Sequence, residues 1–167
     1  IGTMLMKDPV FPVPSSLIEQ ACSFNDYDCG TVFELGDGVV IKTGKLNHPN
    51  GACGYRIEFD GKVIAICTDT EHYEGEIDAN VVELAQDADI MVYDSAYTDE
   101  EYPKFKGWGH STWQEAIKVA EKAQVKQTLL FHHDPSHNDE KMDQIAQEAA
   151  ALREGVRPAI EGEVISL

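Results

Sequence analysis

Six histidines, His48, His72, His110, His132, His133 and His137, are spaced along the chain so that most follow segments that read as strands. His48 comes after one in Leu46-Asn47-His48-Pro49, and Asp69 and His72 after another in Thr68-Asp69-Thr70-Glu71-His72. His132 and His133 follow a third in Leu130-Phe131-His132-His133-Asp134-Pro135, while His110 opens a helix in Gly109-His110-Ser111-Thr112. Polar groups at several strand ends on one side of a sheet form a site, because the loops there converge. Imidazole and carboxylate in such places suit zinc or a similar divalent ion. A carboxylate has two oxygens and can bridge two metals, as a two-metal hydrolase requires. Any single histidine could equally be a surface or capping residue. His48, Asp69 and His132 together, all at strand ends, read as a metal-ligand set.

The elements that position these residues are an antiparallel meander followed by helix–strand units. Strand patterns cover 31–35, 39–43, 53–59 and 62–67, with Gly36-Asp37-Gly38 and Asp60-Gly61 as turns. Helices are expected near 80–88, 111–124 and 139–153, the second capped by Ser111 and the third stopped by Gly155. Buried strands fall at 90–93 and 126–131, and 156–167 can form one or two more. Three prolines in Asp8-Pro9-Val10-Phe11-Pro12-Val13-Pro14 exclude helix and central strand there. Residues 1–30 therefore read as a connection or lid, with a helical turn or two after Ser15-Ser16. A half-exposed meander needs a covering layer, either helices or a second sheet.

Composition bounds the function classes. The chain has 167 residues, 43% hydrophobic and 26% charged, which suits one domain with a real core. No apolar run approaches the ~20 residues of a membrane helix, and no signal peptide is visible. The net charge of −17 argues against broad nucleic-acid binding, but a metal can invert the local field for a small phosphate substrate. Cys22, Cys29, Cys53 and Cys67 form neither a C-x-x-C nor a disulfide framework, and Cys53 and Cys67 read as small buried hydrophobes. The compartment is read as cytoplasmic.

The ordered motifs carry a resemblance. Leu46-Asn47-His48-Pro49, Gly54-Tyr55-Arg56-Ile57, Thr68-Asp69-Thr70-Glu71-His72, Tyr93-Asp94-Ser95-Ala96-Tyr97-Thr98, Gly107-Trp108-Gly109-His110-Ser111-Thr112 and Phe131-His132-His133-Asp134-Pro135 together resemble metallo-β-lactamase-superfamily hydrolases. The ribonuclease Z-like and cyclic-phosphodiesterase-like groups are the nearest, and the likeness covers about residues 30–150. It implies an α+β fold, the C-terminal β/α half of the metallo-β-lactamase αββα architecture, with a mixed sheet and helices on one face. Residues 31–167 would form that half. It also implies two divalent metal ions, zinc first, with manganese or iron as alternatives. His48 would bind the first metal, Asp69 would bridge, and His132 would bind the second. His110 would lie near the substrate phosphate as proton donor or transition-state stabiliser. Asp94 either orients His110 or caps a turn. His72, His133 and His137 are left without an assigned role. Trp108 and Trp113 are expected to pack, Trp108 as a possible pocket wall.

One departure from the family pattern is large: the family's H-x-H-x-D-H motif would precede all of these residues, and no histidine precedes His48. The expectation is an incomplete ligand set and an inactive isolated chain, completed by an N-terminal half-domain or a second chain. The intact protein is expected to hydrolyse a small phosphodiester, with nucleic acid limited to short or cyclic nucleotides. Alternatives are ester, lactone or thioester hydrolysis, or a non-catalytic binding or dimerisation module. An apolar sheet face drawn from 39–43, 53–59 and 62–67 is expected to drive homo-oligomerisation.

Overall fold

The computed structural model describes residues 22–167. The expected helical turns after Ser15-Ser16, and most of the proposed connection, lie outside the described residues. Residues 22–30 form neither helix nor strand. Seven strands follow: β1 (Val32–Glu34), β2 (Val40–Leu46), β3 (Ala52–Phe59), β4 (Lys62–Cys67), β5 (Ile90–Asp94), β6 (Gln127–Phe131) and β7 (Val156–Pro158). Three helices join the later ones: α1 (Ala79–Ala85), α2 (Trp113–Lys122) and α3 (Asp139–Leu152).

The strands form one α+β mixed sheet in the order β1-β2-β3-β4-β5-β6-β7. β1 to β4 pair antiparallel, with Asp60 in left-handed backbone (φ 47) at the β3–β4 turn. β4 to β7 pair parallel, and each of the three connections between them is a helical crossover packed on its own strands. Because β2 and β4 are both antiparallel to β3, strands β2, β4, β5 and β6 all run the same way. Their C-terminal ends therefore leave the sheet at one edge.

The helices share one face. Leu84 of α1 packs over Gly44 and Gly54, α2 touches β5, β6 and both other helices, and α3 covers β7. Beneath them Ala65, Cys67, Met91, Tyr93 and Leu130 join Val81, Ala116 and Ile145 in one buried cluster. Each helix starts on a side-chain cap, which satisfies an otherwise orphaned backbone donor. Asp78 accepts from Asn80 N, Thr112 from Glu115 N and Asn138 from Lys141 N. The expected Ser111 cap is thus displaced by one residue: Ser111 is wholly buried, and its hydroxyl is taken by Tyr93 and His72. Arg56 finishes α1, its Nη1 donating to Leu84 O (3.0 Å) and Gln86 O (2.6 Å). The segment 156–167 yields only the short β7.

On the opposite face Ile41, Ile57, Ile64, Ile66, Val92 and Leu129 fall on one side by strand alternation and register, and all are half-buried. Leu167 returns to this face, lining a cavity of about 220 Å³ with Ile57 and Ile64. Cys67 is buried as expected, but Cys53 is only half-buried. It borders the exposed Cys29, and burial, with the neighbouring Cys29 thiol, pushes its own thiol up to about 11. Among the described residues no helix is long and apolar enough to cross a membrane.

Candidate metal and catalytic site

The shared edge gathers the residues singled out by their chemistry. His48 follows β2, Asp69 follows β4, Asp94 ends β5 and His132 follows β6. Asp69, His110 and His132 each present a donor atom within 4.8 Å of the others. The His132 Nδ1 lies 3.9 Å from Asp69 Oδ2, and the His132 ring stacks on that of His110 at 4.5 Å. The His48 ring stands 6.0 Å from the His110 ring, centroid to centroid, outside the tightest group but beside it. Asp69 and His132 both adopt left-handed backbone, φ 57 and φ 63. That conformation is uncommon for a non-glycine residue, and its strain is typically found where a functional group must be aimed.

His110 is held from behind. Its Nδ1 donates to Asp94 Oδ2 (2.8 Å), and Asp94 is fully buried. The same carboxylate accepts from Thr70 N (3.2 Å), Ala96 N (3.3 Å) and Ser111 N (3.3 Å). Asp94 thus caps the turn after β5 and orients His110, doing both things the sequence allowed. The Asp94 hydrogen bond raises the His110 pKa above its ordinary value; burial opposes this, and the charges of Asp94, Asp69 and Glu71 add to it.

A second buried carboxylate, which sequence reasoning did not single out, is Glu71. Its Oε1 accepts from Tyr102 Oη (2.7 Å) and Gly107 N (2.7 Å), and its Oε2 from Gly109 N (2.9 Å). Burial pushes its carboxyl up, but these hydrogen bonds together pull it below the usual carboxylate value. The loop it holds is tight. Gly107 and Gly109 sit at φ 87 and φ 92, and a Cβ on Gly109 would come within 2.2 Å of His48 Cδ2. Only glycine lets that backbone lie against the His48 ring.

The remaining histidines part company. His72 Nδ1 bonds Ser111 Oγ (2.9 Å) and its ring packs on Tyr102; burial lowers its pKa despite the nearby Glu115, Asp99 and Glu71. His137 Nε2 bonds Glu101 Oε1 (3.1 Å). His133 buries both ring nitrogens with no hydrogen-bond partner, and burial keeps it neutral at lower pH than usual. Trp113 is buried in the core, whereas Trp108 is exposed and packs its edge on Phe105. A groove of about 440 Å³ opens beside His132, lined by Phe131, His133, Ala159, Ile160 and Glu161.

The family of β-lactamase superfamily domains matches residues 9–133. Ribonuclease Z of Anoxybacillus flavithermus is 32% identical over 123 residues, covering 74% of this chain and 35% of that protein. The metallo-β-lactamase fold protein YhfI from Bacillus subtilis superposes with a TM-score of 0.68 at 19% identity, over 82% of this chain and 52% of that one. Zinc-bound PqqB from Methylobacterium extorquens gives a TM-score of 0.63 at 14% identity, over 84% and 55%. At such identities the two structural likenesses speak for the fold. The chain spans 35% of the length of the Anoxybacillus flavithermus ribonuclease Z and 53% of that of Enterococcus faecalis.

Proposed function

The chain belongs to the β-lactamase superfamily domain family, and from that premise we propose that it supplies one half of a divalent-metal hydrolase site acting on a small phosphodiester. One observation carries this: Asp69, His110 and His132 converge within 4.8 Å at one sheet edge. The donor set fits such an ion, since it pairs imidazole nitrogens with a carboxylate oxygen, the mixture zinc takes. His48, Asp69 and His132 would hold the metal, with Asp69 as the bridging group if two ions are present. A bound ion would supply Lewis-acid polarisation and an activated water.

The chain's own residues divide the remaining work. Asp94 fixes the His110 ring by its Nδ1, which leaves Nε2 as the nitrogen free to act. The raised affinity of this imidazole for a proton suits it to hold one at Nε2 and give it to a leaving oxygen. A second reading, in which His110 is itself a ligand, is favoured by its place in the 4.8 Å group and by the frequency of carboxylate–histidine–zinc arrangements. The net charge of −17 favours small or cyclic nucleotides and RNA ends over long RNA.

The 167 residues contain no H-x-H-x-D-H. The proposal therefore includes weak metal binding and no turnover by this chain alone, with activity requiring the complementary half-domain in the same or another chain. The test is zinc titration followed by calorimetry and thermal melting, on the native sequence and on Asp69→Ala, His48→Ala and His110→Ala. At a hundredfold excess over Kd, zinc should stabilise the native chain by about 2.7 kcal/mol, and Asp69→Ala should abolish this. Cobalt substitution separates the two readings of His110, because loss of a ligand changes the coordination and alters the cobalt visible spectrum far more than loss of a neighbouring group. Equal zinc stabilisation of native and Asp69→Ala chains would sink the site.

A further inference from the structure

Glu71 occupies an unusual junction between the segments that carry the candidate site. Its backbone and Asn47 form a reciprocal pair: Glu71 N donates to Asn47 O (2.8 Å), and Asn47 Nδ2 donates to Glu71 O (2.9 Å). That pair ties it to the residue before His48. Its side chain reaches across 36 and 38 residues of sequence to Gly107 N and Gly109 N, which ties it to the residue before His110. It stands two residues after Asp69 on the same loop. One residue thus links three of the four loops from which the site is built.

We propose that Glu71 is a positioning residue, which sets His48 and His110 relative to Asp69 by holding the Asn47–His48 segment with its backbone and the Gly107–His110 loop with its carboxylate. The physical case rests on what each donor would otherwise face. Gly109 is buried, so its N–H has no water to replace Glu71, and an unmet buried donor is costly enough to drive the loop to a new path. Glutamate is required rather than any acceptor because three donors converge on two oxygens, and only an ionised carboxylate accepts at both. The loop has little freedom of its own at Gly109, where the backbone already lies against the His48 ring. A shift of that loop therefore moves both imidazoles together. Asp94 fixes one ring from behind; Glu71 fixes the distance between two rings. The inference rests on the metal-site reading for its function, but not for its geometry.

The experiment uses the full chain, labelled with ¹⁵N, and reads the ring signals of all six histidines without metal. Glu71→Ala should shift the His48 and His110 ring signals towards those of free imidazole and leave His137 unchanged. Glu71→Gln keeps one acceptor oxygen for Tyr102 and Gly107 but turns an amide N–H towards Gly109, so its shifts should be intermediate. Tyr102→Phe removes only the hydroxyl donor, leaves both backbone donors in place, and should leave His48 and His110 at native positions. Zinc affinity should fall about ten- to a hundredfold in Glu71→Ala, the usual loss on removing a group that orients ligands. Native His48 and His110 signals in a folded Glu71→Ala or Glu71→Gln chain would overturn the proposal. So would equal shifts in Glu71→Gln and Tyr102→Phe. If the native chain takes up no zinc, the metal reading fails, and the imidazole spectra still decide the role of Glu71.

Discussion

Gly109→Ala, compared with Gly107→Ala, isolates what the His48 ring contributes to the shape of the site. Both positions hold left-handed backbone, φ 92 and φ 87, so each alanine pays a conformational cost of about 1–2 kcal/mol. At Gly107 nothing lies within 4 Å of the added methyl, and that cost is the whole effect. At Gly109 the methyl would stand 2.2 Å from His48 Cδ2, 2.8 Å from His48 Nε2 and 2.8 Å from Pro49 Cδ. Overpacking of this kind adds about 1–3 kcal/mol if the neighbours hold. His48 is half-buried, so its ring can swing outward instead, and the added cost then appears as a displaced imidazole. Each kcal/mol is worth about 2–4 °C in Tm for a domain of this size. Urea and thermal unfolding of both variants, with histidine ring spectra, give the two readouts. Gly109→Ala should either melt lower than Gly107→Ala or melt alike with a shifted His48 signal. Equal melting with an unmoved His48 would show that the ring does not rest on this backbone, and the packing argument would fail.

Three further outcomes follow from the hydrogen bonds. Asp94→Ala strands three buried backbone donors and takes the partner from the half-buried His110 ring, and should cost about 3–5 kcal/mol in urea unfolding; Asp94→Asn should cost less and still lower the His110 pKa, read by NMR titration. Thr112→Ala removes the α2 cap and the donor to Asp99 (2.6 Å), and should cost about 1–2 kcal/mol, visible as a lowered Tm with unchanged histidine signals. Asp89 has its pKa lowered, by Lys126 Nζ first and by Val63 N next, so its folded-state value lies below its unfolded one. Its contribution is then complete above the unfolded carboxylate value of about 3.9 and is lost as pH falls through the folded value. The native chain should lose stability over that acid range more steeply than Asp89→Asn.

Much of the fold was legible because its signals are local. The Asp60-Gly61 pair marks a two-residue turn by residue type, and the apolar Ile117, Val119 and Ala120 within a run of good helix formers mark α2. Most strand ends were legible because polar residues stop apolar runs, but β2, expected to end at 43, runs on through Gly44 and Lys45 to Leu46. The gathering of His48, Asp69 and His132, with His110 near them, was legible from their places after strands and from the order of motifs; that His110 rather than His48 joins Asp69 and His132 in the tightest group was not. What escaped was of two kinds. The partners of Glu71 are mostly backbone N–H groups, which every residue but proline carries, so no residue type announces them. The left-handed backbone of Asp69 and His132 escaped for the opposite reason: nothing about aspartate or histidine in a sequence fixes the sign of φ. The one-residue error at the start of α2 is a choice between Ser111 and Thr112, both able caps, decided by the pull of Tyr93 and His72 on the serine.

The order of the strands bears on how the molecule assembles itself. Every strand lies beside its neighbour in the chain, so no pairing has to wait for a distant segment to return, and loop-closure entropy rises only slowly with the length of each connection. Such an arrangement has low contact order for a sheet this large and favours rapid folding. The hairpins of β1 to β4 can form first, and β5, β6 and β7 can join one crossover at a time. The candidate site follows a different schedule. His48 and Asp69 are in place with the meander, but His110 arrives with the segment after β5, and His132 only when β6 has docked. A ligand held by all of them favours the late-joined strands over the early ones. Hydrogen exchange in its presence should slow most in β5 and β6, and least in β1.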